Sequence, residues 1–125
     1  MPPRILTVDD AKAVRTLAKQ VLQPFNCDVQ EATNGYNALF VMEKALPDLV
    51  LLDVSMPIMG GIELLELMRA NDILKPIRVL MLTSPADHAS LHKITELGVS
   101  GILRKPFKPE DLLAQIRALV PLTPA

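Results

Sequence analysis

The chain has 125 residues, of which 50% are hydrophobic, and its formal net charge at pH 7 is −1. This length suits one domain, residues 1–125, with enough apolar residues for a buried core. A near-neutral chain with three phenylalanines, one tyrosine and no tryptophan lacks the basic surface and the stacking residues that nucleic-acid binding requires. No apolar run is long enough to cross a bilayer, and the single cysteine, Cys27, excludes an internal disulfide bond. We therefore expect a cytoplasmic protein that neither inserts into membranes nor binds nucleic acid directly.

The first half of the chain alternates short apolar runs with helical patterns. The pattern predicts a strand at residues 4–8, followed by a helix whose apolar stripe ends at Pro24. A more polar strand at residues 27–32 is typical of a sheet edge. An Asn-Gly pair then interrupts the chain before a second helical stripe, which runs to Pro47.

The third and fourth units are more apolar. Strands are predicted at residues 48–52 and 77–83, and their near-continuous apolar character is typical of the centre of a parallel sheet. A loop at residues 56–61 leads into a third helix. A narrower helical stripe follows the fourth strand and ends before Gly98, a residue type that favours helix C-termini.

The fifth unit has the clearest helix. A strand at residues 100–104 precedes it, Pro109 lies near its start, and two acidic residues occupy its first turn, where the helix dipole favours negative charge. Residues 121–125 follow as a tail, so we expect an ordered core at about 4–120.

Strict alternation of strands and helices predicts an α/β fold, a (βα)5 doubly wound parallel sheet between two helical layers, as in flavodoxin. For this fold we expect the strand order 2-1-3-4-5, in which strands one and three are neighbours where the order reverses. Sites in such sheets form at the carboxyl ends of the strands beside that point. The residues at these ends are therefore the candidates for chemistry.

The strand ends carry a small and chemically biased set of side chains. The first strand ends at Asp9-Asp10, the third at Asp53, the fourth at Thr83 and the fifth at Lys105. Like charges about 4 Å apart repel by roughly 4 kcal/mol per pair at an effective dielectric near 20, so a cluster of carboxylates needs a cation. Hard oxygen ligands without nearby His or Cys favour Mg²⁺. Three carboxylates, a divalent ion and one lysine then sum to zero charge.

Each of these residues also has a purely structural interpretation. Asp53 alone would be a turn former or a helix cap, and Asp9-Asp10 would be the N-cap of the first helix. Thr83 and Lys105 are uninformative individually. Acids, a hydroxyl and an amine at four different strand ends together favour one shared site.

The chain resembles the receiver domain of two-component response regulators, most closely the single-domain chemotaxis type. The matching motifs are ILTVDD, LVLLDVSMPIMGGIELL, VLMLTS and GILRKPF, in the family's order and spacing, and they span residues 4 to about 120. The resemblance implies a signalling switch that assists only its own phosphorylation and dephosphorylation and is not otherwise an enzyme. The phosphoryl donor would be the phosphohistidine of a sensor histidine kinase or a phosphotransfer protein. The activated domain would bind a protein target or an output domain, and a phosphorylation-dependent dimer is a further form of binding that the resemblance leaves open.

The resemblance also implies an acceptor and a metal site. Asp53 would be the nucleophile that accepts the phosphoryl group. Mg²⁺, for which Mn²⁺ can substitute, would be bound by Asp10, Asp53 and the backbone carbonyl of Ser55, with Asp9 acting through water.

Two further roles follow from the resemblance. Lys105 would pair with the phosphoryl oxygens, and Thr83 would move to hydrogen-bond them, which carries the switch. The Lys105-Pro106 peptide bond resembles one that is cis in the family, and X-Pro bonds are the ones where the cis form costs little.

The chain departs from the family at two positions. Ile102 stands where the family often has a switching Tyr or Phe, so an aromatic rotamer change cannot be the readout here. Pro85 is unusual two residues after Thr83 and should stiffen the loop after the fourth strand. Neither Ser55 nor Pro85 offers an acid or amide to orient water, so we expect a long-lived phosphorylated state.

Three other functions fit parts of the pattern. A phosphorylation-independent docking module would not need the complete set of strand-end residues. A phosphatase with an aspartate nucleophile would carry a D-x-D motif after the first strand, whereas Asp9 and Asp10 are adjacent here. Flavin binding on the same fold would need a phosphate-binding loop after the first strand and more aromatic residues.

Weaker signals receive structural interpretations. His88 and His92 have helical spacing, but two ligands make a poor metal site, so we interpret them as solvated. Cys27 has no basic neighbour to activate it and is interpreted as a buried strand thiol. The basic residues near the chain's end are interpreted as solvated, with a partner-binding face as the alternative; they are Arg104, Lys108 and Arg117.

Overall fold

The computed structural model describes residues 2–125 and contains one parallel five-stranded sheet. The strands are β1 (Arg4–Val8), β2 (Asp28–Ala32), β3 (Leu49–Asp53), β4 (Arg78–Thr83) and β5 (Gly101–Arg104). The helices are α1 (Lys12–Leu22), α2 (Gly35–Lys44), α3 (Gly61–Ala70), α4 (Leu91–Leu97) and α5 (Pro109–Leu119). A 3-10 helix, Pro85–Ser90, precedes α4.

The strand order is β2-β1-β3-β4-β5, which confirms the predicted order and fold class. The strand β2 lies at the edge of the sheet and is partly exposed, as its polar sequence predicted. In contrast, every residue of the central strand β3 is buried. Alternate side chains of the buried strands face opposite helical layers, as period-2 geometry requires. One core joins the sheet to α2, α3 and α4, and the other joins it to α1 and α5.

Helix boundaries follow local chemistry. The Asn34 side chain caps α2 by accepting a hydrogen bond from the Asn37 amide at 2.8 Å. The helix α4 ends at Gly98, whose φ of 93° lies in the left-handed region that favours glycine, and α5 begins at Pro109. None of the helices within residues 2–125 is long and apolar enough to span a membrane.

The end of the chain is hydrogen-bonded to the loop after α1. The amide of Asn26 donates to the carbonyl of Thr123 at 2.7 Å, and the amide of Ala125 donates to the carbonyl of Pro24 at 2.9 Å. Phe25 and Pro124 form an antiparallel bridge between the same two segments. The residues that we expected to form a tail beyond 120 therefore pair with the loop after α1.

Candidate functional site

The sheet register brings two of the acidic residues to the same level. Val8 pairs with Leu52 across β1 and β3, so the next residue along the chain in each case, Asp9 after β1 and Asp53 at the end of β3, lies beside the other. Asp53 is the last residue of β3 rather than the first of the following loop. The strand order that was predicted from alternation is thus what places these carboxylates together.

Lys105 bridges the two buried carboxylates. Its Nζ donates to Oδ2 of Asp9 at 2.9 Å and to Oδ1 of Asp53 at 3.0 Å. The backbone amide of Lys105 donates to the carbonyl of Thr83, which fixes the start of the segment that carries the ammonium group. The next peptide bond, Lys105-Pro106, is cis.

A third carboxylate completes an acidic cluster at the rim of the sheet. Carboxylate oxygens of Asp9, Asp10 and Asp53 all lie within 4.8 Å of one another. Asp9 and Asp53 are buried, whereas Asp10 is exposed. Three oxygen donors that converge from two strand ends, one of them open to solvent, fit a hard divalent cation such as Mg²⁺ that keeps some of its waters.

The pKa shifts of Asp53 and Lys105 also favour a bound cation at this cluster. Burial raises the pKa of Asp53 to about 6, the hydrogen bond from Lys105 opposes this shift, and the negative charge of Asp9 adds to it. Burial by itself lowers the pKa of Lys105, but hydrogen bonds to Asp9 and Asp53 more than offset it, so the pKa is raised. One ammonium group faces three carboxylates, which leaves the site short of positive charge.

The loop after β3 is shaped by close backbone contacts. A Cβ on Gly61 would lie 2.0 Å from the carbonyl oxygen of Asp53, so only glycine allows α3 to begin this close to β3. Ile58 in the same loop has φ of 70° and is 81% exposed. A β-branched residue rarely adopts this conformation, so the surrounding contacts must hold it there.

Thr83 and Ile102 meet at a small cavity beside the site. Thr83 is buried at the end of β4, and Ile102 on β5 is half-exposed. Both line a cavity of about 130 Å³, which His88 and Arg104 also border. The fourth strand end and Ile102 therefore share one small cavity beside the acidic cluster.

Sequence reasoning missed one buried acid, Asp87. One of its carboxylate oxygens accepts a hydrogen bond from Ser55 Oγ, and the other accepts from the amide and hydroxyl of Ser84. The Ser-x-x-Asp spacing at 84–87 is the signature of a helix capping box, which could have located the 3-10 helix. Its contact with Ser55 could not be read from the sequence, since 32 residues separate the two.

The structural interpretations have mixed outcomes. The N-cap of α1 is Ala11 and not an aspartate, although Asp9 Oδ1 accepts a hydrogen bond from the Ala11 amide at 2.9 Å. His88 and His92 are exposed, and His92 lies near Glu96, outside the single ligand cluster found within residues 2–125.

Cys27 precedes β2 and is only partly buried, so its description as a buried strand thiol is wrong. Burial and the charge of Asp28 raise the pKa of this thiol, which disfavours the reactive thiolate.

Comparison with known proteins decides the family. A sequence model of the response regulator receiver domain matches residues 5–117. This chain belongs to the response regulator receiver family. The receiver is 32% identical over 118 residues to protein PilG of Pseudomonas aeruginosa, across 94% of this chain and 87% of PilG. It is 34% identical over 122 residues to sporulation initiation phosphotransferase F of Bacillus subtilis, across 98% of this chain and 97% of that protein.

Solved structures agree with this assignment. The chemotaxis response regulator CheY4 of Vibrio cholerae superposes on this receiver with a TM-score of 0.87 and 32% identity, covering 96% of this chain and 100% of that one. As a receiver domain of two-component response regulators, the chain is a phosphoacceptor module of signal transduction. The acidic cluster, with two of its three carboxylates buried, is consistent with the phosphorylation site of this family.

Proposed function

We propose that Asp53 accepts the phosphoryl group and that the whole chain, residues 1–125, acts as one receiver switch. The observation that carries this proposal is the bridge from Lys105 to both Asp9 and Asp53, with Asp10 alongside. Both Asp9 and Asp53 are buried and contact the ammonium group of Lys105. Of these two carboxylates, Asp53 is the one that ends a central strand, β3. The donor is a phosphohistidine of a sensor histidine kinase or of a phosphotransfer protein.

The chemistry needs positioning and charge more than covalent work by the protein. A carboxylate oxygen of Asp53 forms the new O–P bond as the N–P bond to the donor imidazole breaks, and the bonding pair returns to the nitrogen. Lys105, already directed at Asp53, stabilises negative charge on the transferring oxygens. Thr83, at the end of the strand beside β3, supplies a hydroxyl that can move toward the new phosphoryl group.

A divalent cation completes this charge balance. Mg²⁺, or Mn²⁺ in its place, would be held by Asp10, Asp53 and the backbone carbonyl of Ser55, with Asp9 acting through water. When bound, the ion supplies positive charge to the transferring oxygens. Burial of Asp9 and Asp53, the hard oxygen donors and the shortage of positive charge support this assignment.

The consequence of phosphorylation is a change in partner binding. The phosphoryl group adds negative charge and strong acceptor oxygens beside Thr83 and Lys105, and both side chains can then reorganise around it. We infer a cytoplasmic switch whose active form binds a protein target or output domain, with dimerisation as one form of that binding. No step requires nucleic acid or a membrane, or catalysis on a substrate other than the domain itself.

The test is intact-mass spectrometry after incubation with Mg²⁺ and acetyl phosphate, a small phosphodonor. We expect one added phosphoryl group on the wild type and none on Asp53→Asn, because the amide is not a nucleophile. The matched control is Asp72→Asn, an exposed aspartate outside the site that should still be modified. Modification that persists in Asp53→Asn would place the acceptor elsewhere, and an unmodified wild type would contradict the phosphoacceptor role.

A further inference from the structure

Asp87 joins the two loops that flank the acceptor site. Its Oδ1 accepts a hydrogen bond from Ser55 Oγ at 3.1 Å, and its Oδ2 accepts from the amide and the hydroxyl of Ser84 at 2.8 and 2.9 Å. Ser55 lies two residues after Asp53, and Ser84 directly follows Thr83. One carboxylate therefore connects the neighbour of the acceptor to the neighbour of the proposed moving hydroxyl.

This carboxylate is buried without a cationic partner. Asp87 is 6% exposed, and none of the ion pairs formed within residues 2–125 involves it. A buried charge is costly unless hydrogen bonds compensate it, and here three hydrogen bonds do so. The contact with Ser55 is thus part of what makes the buried position of Asp87 tolerable.

The segment from Ser84 to Asp87 is internally stiff. Besides the two bonds from Ser84 to the carboxylate, the Asp87 amide donates to the Ser84 carbonyl at 2.9 Å, and Pro85 fixes one backbone angle between them. A backbone movement of Thr83 toward Asp53 therefore carries this segment with it as a unit. Within residues 2–125, the Ser55–Asp87 bond is the one side-chain hydrogen bond that ties the unit to the loop at residues 54–60.

We propose that Asp87 is a positioning residue for the switch: its hydrogen bond with Ser55 holds the segment after β4 in the unphosphorylated arrangement and breaks when Thr83 moves. The inference rests on the proposed function, because the phosphoryl group on Asp53 is what draws Thr83. A contact made in only one of two conformations shifts the equilibrium toward that conformation. The Ser55–Asp87 bond therefore opposes activation.

The direct test removes only the serine hydroxyl. Ser55→Ala leaves the backbone carbonyl and the capping box in place, and the probe is beryllofluoride, a phosphoryl mimic, titrated at saturating Mg²⁺ by calorimetry. Loss of one hydrogen bond to a charged group, partly replaced by water, should tighten beryllofluoride binding by about three- to tenfold. Ser100→Ala, an exposed serine away from both loops, should bind like the wild type.

Two further measurements separate positioning from a general structural effect. Ser55→Thr keeps the hydroxyl and should restore wild-type affinity. In unliganded Ser55→Ala, the amide resonances of Ser84 and Asp87 should shift toward their beryllofluoride-bound positions, since the equilibrium has moved. Unchanged or weaker binding by Ser55→Ala, with the wild type still binding through Asp53, overturns this inference alone. A wild type that does not bind beryllofluoride overturns the proposed function, and this inference with it.

Discussion

At Asp53, burial and charge act on a single carboxylate in opposite directions. Burial disfavours the ionised form, whereas the Lys105 ammonium group at 3.0 Å favours it. Burial and the charge of Asp9 together prevail, and the pKa rises from 3.8 to about 6. The proposed nucleophile, which must be ionised to react, is therefore held in a state that costs stability at neutral pH.

This conflict predicts how stability depends on pH without metal. Because the folded-state pKa lies above the unfolded value, the contribution of Asp53 to stability is present below about pH 4 and lost as pH rises through about 6. Without Mg²⁺, Asp53→Asn should raise the free energy of unfolding at pH 7 by about 1 kcal/mol, less than the full shift because solvent reaches the site.

Urea unfolding in a chelator at pH 7 and at pH 4.5 measures this difference. The gain in the free energy of unfolding on Asp53→Asn should be smaller at pH 4.5, because the Asp53 carboxyl group of the folded wild type is then mostly protonated. Asp72→Asn, at an exposed position, should show no such pH-dependent gain. An Asp53→Asn variant that is less stable than the wild type at pH 7 would contradict the prediction.

Among the connecting elements, the loop between β3 and α3 stores backbone strain next to Asp53. Ile58 is the one non-glycine residue with a positive φ within residues 2–125, and its exposed side chain gains little from packing. Asn adopts the left-handed region more readily than a β-branched residue. Ile58→Asn should therefore raise the free energy of unfolding by about 0.5–1 kcal/mol.

Chemical denaturation of Ile58→Asn and Ile73→Asn tests this prediction. Ile73 is a matched control, because it is 66% exposed but has no positive φ. A gain confined to Ile58→Asn would locate the strain in the loop. Equal effects of the two substitutions would mean that surface hydrophobicity, not backbone conformation, is responsible.

At the scale of the whole molecule, the cation site couples binding to folding. Asp10 and Asp53 come together only in the folded chain, so an ion that binds both stabilises the native state. With Mg²⁺ at ten times its dissociation constant, the wild type should gain about 1.4 kcal/mol in the free energy of unfolding. Thermal unfolding with and without Mg²⁺ gives the measurement.

The control for this linkage is Asp10→Asn. It removes one proposed ligand at an exposed position, where the substitution leaves the core unchanged. Most of the Mg²⁺-dependent gain should disappear. An equal gain in Asp10→Asn would show that the ion binds at another place.

The amino-acid sequence alone determined the fold of this protein, because hydrophobic periodicity and a rigid alternation of strands and helices admit few topologies. It also selected Asp9, Asp10, Asp53, Thr83 and Lys105 as candidates, since each lies at the end of a strand or within two residues after it, and the strand ends of a parallel sheet share one edge. Periodicity reports which face of an element is buried, and it carries no information on pairs distant in the chain.

Only the tertiary structure decided those distant pairs. The bond between Ser55 and Asp87, the pairing of the chain end with the loop after α1, and the raised pKa of Asp53 all arise from groups that folding brings together. Cys27 illustrates the same limit, because its partial burial depends on the core residues that fold against it and not on its neighbours in the chain. Local sequence sets the elements, whereas desolvation and long-range contacts set the chemistry of the site.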